Sequence, residues 1–302
     1  VLRLPFLMAA HLIDGKIIAQ QIHEETLSRV AALKVKGIEP CILFIRVGND
    51  PASQAYVGMK DKKALQLGIK PLTKLYPEGT SKEALLKFIH EANEDRAIHG
   101  ILVQAPIPGI PQEVVFSAIS PEKDVDGFHP INFGKLLLGD SSGFKPCTPA
   151  GVQELLIRSK LPTQSKHVVI LGRGNIVGKP LAAMLCQKSL GADATVTLVH
   201  SRTSNIAALC RQADILVAAM GLAEFVKKDM VKSGAIVIDV GVNRVEDSSH
   251  PKGFRLVGDI DFPAVCEVAS QVTPNPGGVG PMTIAMLMSN TVRAAENQGI
   301  YF

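Results

Sequence analysis

HVVILGRGNIVGKPLAAML, residues 167–185, decides the fold class. Val168–Leu171 is a continuous apolar, β-branched run, as in a strand covered on both faces. Gly172, Gly174 and Gly178 follow as G-x-G-x-x-x-G, and a helix opens directly after them. Strand, glycine loop and helix, in that order, bring a pyrophosphate to a backbone that can approach it closely. The helix N-terminus adds free N–H groups and a positive dipole end. A glycine pattern alone also suits an ordinary structural turn; the strand before it and the helix after it favour the cofactor reading.

The next strand-like run, ATVTLVH (194–200), ends in Ser201-Arg202-Thr203. An NAD site usually carries an Asp or Glu there to bond the ribose 2′-hydroxyl. A hydroxyl and a guanidinium suit a 2′-phosphate instead, because Arg pairs with phosphate oxygens through a planar fork. Arg173, inside the glycine loop, offers a second positive charge. NADP is therefore preferred over NAD, against the plainer view that Arg202 is a solvated surface residue.

Further out, ADILVAA (213–219) and GAIVIDVG (234–241) continue the strand rhythm downstream, and CILFIRV (41–47) and HGILVQ (99–104) carry it upstream. IKPLTKLY (69–76) is a poorer strand, confined by Pro71 to an edge or a strand start. Between them lie helical patterns over about 15–36, from Asp50-Pro51 (an N-cap and first helical residue) to a stop at Gly68, and from a Thr80/Glu83 capping box to about Asn93. Another helix begins at Thr148-Pro149, and PMTIAMLMSNTVRAAENQ forms the last one. Strands alternating with helices predict α/β architecture with parallel sheets. The expected organisation is two α/β domains with a cleft between them. Residues 1–150, joined by 280–302, form an N-terminal catalytic domain, and 151–279 form a Rossmann-like dinucleotide-binding domain.

Composition excludes several classes. The net charge of +4 is scattered, with no run of like charges, so a nucleic-acid partner has no support. No apolar run is long enough for a membrane span. The five cysteines are widely spaced with no CxxC, which argues for free thiols in a reducing, cytoplasmic compartment and against a disulfide framework or a metal site. Met8 reads as a natural start with residues 1–7 upstream of it; the remnant of a targeting leader is the alternative.

Three segments outside the glycine loop carry candidate chemistry. Tyr56 and Lys60 stand four residues apart on a helix and share a face. A lysine there is a proton-transfer group only if burial or a cationic neighbour lowers its pKa; otherwise the pair is a solvated helix edge. Pro121-Glu-Lys-Asp-Val-Asp126-Gly127 places a carboxylate where it could accept two N–H bonds from an amino-amidine edge, or simply forms a turn whose Asp residues bond the local backbone. Pro274-Asn-Pro276-Gly277-Gly278-Val-Gly-Pro-Met-Thr283 is a rigid loop before the last helix, fit to meet a ligand or to act as a hinge.

Together these segments resemble the bifunctional methylenetetrahydrofolate dehydrogenase/methenyltetrahydrofolate cyclohydrolase family. The likeness runs from about Leu12 to Ala295 through Tyr56-Val-x-x-Lys60, VQAPIPG with Gln104, PEKDVDG, PCTP, GRGNIVGKP and PGGVGPMT. The resemblance implies oxidation of 5,10-methylenetetrahydrofolate with NADP, then hydrolysis to 10-formyltetrahydrofolate, within one-carbon metabolism and purine biosynthesis. It implies tetrahydrofolate derivatives as ligands and a homodimer. By the same resemblance Lys60 is the central residue of the hydrolytic step, Gln104 tunes it by a hydrogen bond, Tyr56 packs beside the folate ring and Asp126 holds the pterin amino edge. Pro276, Gly277 and Gly278 line the folate or nicotinamide site. Gly172, Arg173, Gly174, Gly178, Ser201 and Arg202 hold the cofactor. Gly174 departs from the family's usual Ser and removes a hydroxyl from the loop, while Ala105 and Asn275 stand where Leu and Val are more common. The rival readings are another two-domain NADP dehydrogenase, a non-catalytic dinucleotide-binding scaffold, and a family member with one activity only.

Overall fold

The computed structural model describes residues 10–250 and 253–299, so the questions raised by Met8 and residues 1–7 lie outside the described residues. In chain order the elements are β1 (His11–Leu12), α1 (Gly15–Val35), β2 (Cys41–Val47), α2 (Pro51–Gln66), β3 (Lys70–Tyr76), α3 (Lys82–Glu94), β4 (Gly100–Gln104), α4 (Gln112–Ala118), α5 (Pro130–Leu138) and α6 (Cys147–Arg158). They continue with β5 (His167–Leu171), α7 (Gly178–Leu185), β6 (Thr195–Val199), α8 (Ile206–Cys210), β7 (Ile215–Ala218), a 3-10 turn (Lys228–Met230), β8 (Ile236–Asp239), β9 (Asn243–Glu246), β10 (Phe254–Val257), α9 (Phe262–Cys266), β11 (Gln271–Val272) and α10 (Val279–Gly299). The chain forms two compact units: one comprises the residues up to Ile18 with Thr148–Thr283, the other Ala19–Cys147 with the chain from Ile284 on.

The unit built on Ala19–Cys147 carries a three-stranded parallel sheet in the order β3-β2-β4. Every residue of central β2 is buried, as its unbroken apolar run predicts. Its alternate side chains feed two cores. Ile42 and Phe44 pack with residues of α1, α2 and α10, whereas Leu43, Ile45 and Val47 pack with those of α3 and α4. Pro71 is tolerated because β3 is the edge strand. Asp50 caps α2 by accepting from Ser53 N at 2.7 Å, and Gly68, at φ 74°, turns the chain out of it. The expected Thr80/Glu83 capping box does not form. Ser81 caps α3 by accepting from Ala84 N at 3.2 Å, and the Thr80 hydroxyl donates instead to Pro77 O at 2.7 Å.

The other unit is a six-stranded sheet in the order β1-β11-β8-β7-β5-β6, all pairs parallel, with β9 and β10 as a separate antiparallel hairpin. After β6 the chain crosses back over β5 to β7, so the order reverses at β5. In such sheets ligands bind beyond the carboxyl ends of the strands at that reversal. The short β1 pairs in parallel with β11, which places His11 and Leu12 on this sheet and not with the N-terminal domain expected from the sequence. Two residues are too few to show a period of their own, and Leu12 is largely exposed. Among the described residues no helix is long and apolar enough to cross a membrane.

Candidate active site

In the first of these units, Ser53, Val57, Lys60 and Ala64 form the buried stripe of α2. Lys60 is 9% exposed, and its Nζ donates to Gln104 Oε1 at 2.9 Å. Gln104 ends β4, and its amide donates to Ala105 O at 2.8 Å, which leaves Oε1 facing the lysine. The same carbonyl accepts from Ser53 Oγ at 3.2 Å, tying α2 to the end of β4. Burial lowers the Lys60 pKa, opposed first by the carboxyl of Asp126. An amine so placed can exist neutral and exchange a proton, which a solvated lysine at neutral pH cannot readily do. Tyr56, one turn earlier, lies outside the buried stripe and is 42% exposed, so its ring offers an open aromatic face.

Asp124 and Asp126 divide the two roles that PEKDVDG suggests. Asp124 is buried and makes the turn, accepting from the amides of Gly127 and Phe128 at 3.1 Å each, from His129 N at 2.8 Å and from Asn132 Nδ2 at 2.8 Å. Asp126 takes no part in that turn. It keeps some surface open to solvent but is crowded on its other sides, and this desolvation raises its pKa; Lys60 pulls it back down and Asp124 pushes it up. Burial thus drives both Lys60 and Asp126 toward their neutral forms, a setting in which one proton can pass between polar groups and a ligand.

The surroundings fix this loop from three sides. Ile101 N donates to Lys123 O at 2.8 Å, so the segment runs beside β4. Gly100 and Gly127 have no room for a Cβ, against Val125 and the Lys145–Pro146 backbone respectively. Asn290 of α10 donates to Val125 O at 2.9 Å and Lys145 O at 3.2 Å, and Cys147 Sγ donates to Val125 O at 3.3 Å. Lys123 is structural: its buried ammonium donates to the carbonyls of Ala92 and Asp95 at the end of α3.

In the other unit, Gly172 and Gly178 are required sterically. A Cβ on Gly172, at φ 116°, would lie 2.1 Å from Ala219 O, and one on Gly178 would lie 1.9 Å from Gly172 O. Gly174 has open space around it. Arg173, Gly174, Asn175 and Ile176 are exposed, and among the described residues no backbone amide from Arg173 to Gly178 finds a carbonyl partner. A loop of free, exposed N–H groups at the start of α7, at the sheet's reversal point, fits a pyrophosphate by the chemistry of its donors. Gly172 N donates to Val199 O at 2.8 Å, which sets the end of β6 next to this loop. There Ser201 and Arg202 are exposed, with no ion pair on the Arg202 guanidinium among the described residues. In the loop before α10, Pro276 is exposed, while Gly277 and Gly278 are buried; a Cβ on Gly15 would meet Gly278 O at 1.8 Å.

Two family models cover most of the chain. Residues 13–126 match the tetrahydrofolate dehydrogenase/cyclohydrolase catalytic domain, and residues 146–299 match the NAD(P)-binding domain of the same family. The chain belongs to the tetrahydrofolate dehydrogenase/cyclohydrolase family. Its relatives agree. It is 50% identical to the bifunctional protein FolD 1 of Myxococcus xanthus, covering 95% of this chain and 98% of that one. The bifunctional protein FolD of Lawsonia intracellularis is 52% identical, covering 95% and 98%. The crystal structure of the bifunctional FolD from Campylobacter jejuni superposes with TM-score 0.90 at 46% identity, over 96% and 99% of the two chains. FolD of Trypanosoma brucei, complexed with NADP cofactor and inhibitor, gives TM-score 0.89 at 40% identity, over 95% and 98%.

Within this family framework, Lys60, Gln104 and Asp126 stand in the unit matching the catalytic domain, with Tyr56 beside them on α2. Gly172, Arg173, Gly174, Gly178, Ser201 and Arg202 stand in the NAD(P)-binding unit, as do Pro276, Gly277 and Gly278. Sequence reasoning missed Ser53, Asn290 and a buried carboxylate pair, Asp239 and Asp259. Part of the signal was available: Asp239 ends an apolar strand in VIDVG, and Asp259 stands two residues past a strand in LVGDI.

Proposed function

We propose that this chain oxidises 5,10-methylenetetrahydrofolate with NADP and hydrolyses the resulting 5,10-methenyltetrahydrofolate to 10-formyltetrahydrofolate. The single observation that carries the reading is Lys60, buried, desolvated and hydrogen-bonded to Gln104 in a member of this family. NADP, when bound, supplies the acceptor for a hydride leaving the bridging methylene carbon. The methenyl cation left behind is stabilised by the adjacent folate nitrogens, so for this step the chain supplies mainly positioning.

Hydrolysis asks more of the side chains. Water adds to the methenyl carbon and must lose a proton; the Lys60 amine, held by Gln104, takes it at Nζ and can return it to the departing ring nitrogen. Asp126 accepts N–H bonds from the amino edge of the pterin, and Tyr56 lies against the ring. The amides of the glycine loop hold the pyrophosphate. Arg173, Ser201 and Arg202 take the 2′-phosphate region, with Pro276, Gly277 and Gly278 lining the folate or nicotinamide end. The same proposal includes a cytoplasmic homodimer acting in one-carbon metabolism and purine biosynthesis without a nucleic-acid partner, supported by the family resemblance and the scattered charge.

The test is Lys60→Ala. Hydrolysis should fall by about 10²–10⁴-fold, the usual worth of a positioned acid–base group, while NADPH formation persists and methenyl product accumulates. Undiminished hydrolysis by this variant would remove Lys60 from the mechanism.

A further inference from the structure

Asp259 is fully buried, and both its carboxylate oxygens are occupied. Oδ2 accepts from Met220 N at 2.6 Å and Gly221 N at 2.9 Å. Oδ1 accepts from Leu222 N at 3.0 Å and Asn243 Nδ2 at 2.8 Å. Its own amide donates to Asp239 Oδ1 at 2.9 Å, and its carbonyl accepts from Val226 N at 2.9 Å. One carboxylate therefore grips three consecutive amides of the loop that follows β7, from beneath, while Gly221 and Leu222 stay exposed on the other side.

That loop borders the sheet's reversal point. Ala219 N donates to Leu171 O at 2.8 Å, and the Ala219 carbonyl packs against Gly172, the first glycine of the cofactor loop. In a trans peptide the C=O points opposite to the N–H of the same plane. Amides of Met220, Gly221 and Leu222 turned toward Asp259 therefore turn the carbonyls of Ala219, Met220 and Gly221 away from it. The glycine loop after β5 offers donors; the loop after β7 offers a row of acceptors. With pyrophosphate at the glycine loop and the 2′-phosphate at the end of β6, on one side of β5, the nicotinamide end extends to the other side, toward β7. Its carboxamide NH₂ is a donor that such a row can accept.

We infer that Asp259 is a positioning residue for the nicotinamide half of the dinucleotide, acting through the carbonyls it turns outward at Ala219, Met220 and Gly221. The inference rests on the dinucleotide reading of this unit, and the experiment separates the two. Binding of NADP and of 2′-phospho-ADP-ribose, which lacks the nicotinamide, is measured by calorimetry for the native chain, Asp259→Asn and the milder Asn243→Ala, alongside steady-state kinetics and melting temperature. Asn in place of Asp keeps the volume but replaces an acceptor oxygen with a donor facing backbone N–H groups.

For Asp259→Asn the expected result is about a 3–10-fold weaker Kd and higher KM for NADP, the worth of a lost neutral hydrogen bond, with Kd for 2′-phospho-ADP-ribose and cyclohydrolase turnover within about twofold of native. Asn243→Ala should shift the same quantities in the same direction by a smaller factor, and it serves as the test if Asp259→Asn does not fold. Unchanged NADP affinity in a folded Asp259→Asn, or in Asn243→Ala when that is the only folded variant, overturns the inference. So does an equal loss for the two ligands, which is what a merely collapsed unit gives. Failure of the native chain to bind either ligand overturns the dinucleotide reading itself.

Discussion

Asp239 gives a prediction whose size can be worked from the structure. Its carboxyl is 3% exposed; Oδ1 accepts from Gly241 N at 3.1 Å and Asp259 N at 2.9 Å, while Oδ2 has no hydrogen-bond partner among the described residues and packs against Gly258, where a Cβ would lie 1.5 Å from it. Desolvation, followed by the Asp259 charge, raises its pKa from 3.8 to about 7, against the opposing pull of its backbone donors. The folded state thus holds a proton that the unfolded chain releases. Below pH 3.8 both states are protonated and the group costs nothing. As pH rises from there through about 7 the cost grows, at ~1.4 kcal/mol per pH unit, to about 4 kcal/mol. Roughly 3 kcal/mol of that falls between pH 5 and pH 8.

Asp239→Asn keeps the oxygen that the two amides need and removes the titration. Melting temperatures of the native chain and the variant are to be compared across this range by calorimetry, following the transition of the NAD(P)-binding unit. At ~2–4 °C per kcal/mol for a structure of this size, the variant should gain about 5–10 °C on the native chain between pH 5 and pH 8. Taking the difference between the two proteins cancels every other titrating group. A gap that stays constant with pH, or that narrows as pH rises, would refute the reasoning.

Other expectations concern the ligands. Arg202→Ala should raise the KM for NADP about 10–100-fold, through loss of a charge-assisted bond, while the KM for NAD changes little; equal losses in parallel assays would leave Arg202 a surface residue. Asp126→Ala should raise the folate KM by a similar factor. It should also move the acid limb of the hydrolysis profile, where protonation stops Lys60 acting as a base, to lower pH, because Asp126 raises the Lys60 pKa. An unchanged folate KM would return Asp126 to a purely local role. Gly174→Ser adds a hydroxyl to a position with open space and an ordinary backbone angle, so stability should be unaffected and NADP affinity should rise a few-fold. Weaker binding by this variant would count against a phosphate at this turn.

The sequence revealed the parts whose information is local. CILFIRV and HVVIL are read as buried strands because nothing in them alternates, and Asp50-Pro51 and Gly68 bracket α2 by capping chemistry alone. Pro71 marks an edge strand in advance. Lys60 was legible only as one member of a pair; its burial depends on the end of β4, which a distant stretch of chain supplies. Asp124 and Asp126 could not be told apart by type or spacing. What separates them is that Asp124 lies over the amides of residues 127–129, whereas Asp126 lies near Lys60. The pairing of β1 with β11 joins residues some 260 positions apart through two bridges, too small a signal for any periodicity. In the sequence Asp239 ends an apolar strand and Asp259 lies shortly after another, but nothing in either segment shows what the two carboxyls bond. Only the folded chain shows one of them collecting three amides beneath the loop after β7, and the other left with an oxygen against Gly258.

The most direct test of the account follows the near-ultraviolet spectrum at neutral pH after methylenetetrahydrofolate is added with NADP, or with NAD in parallel, resolving reduced cofactor from methenyl product by band shape without an acid step, because acid would close 10-formyl product back to methenyl. Reduced cofactor is expected to form, NADPH from NADP faster than NADH from NAD, and little methenyl product should build up because hydrolysis keeps pace. Reduction of neither cofactor would contradict the account.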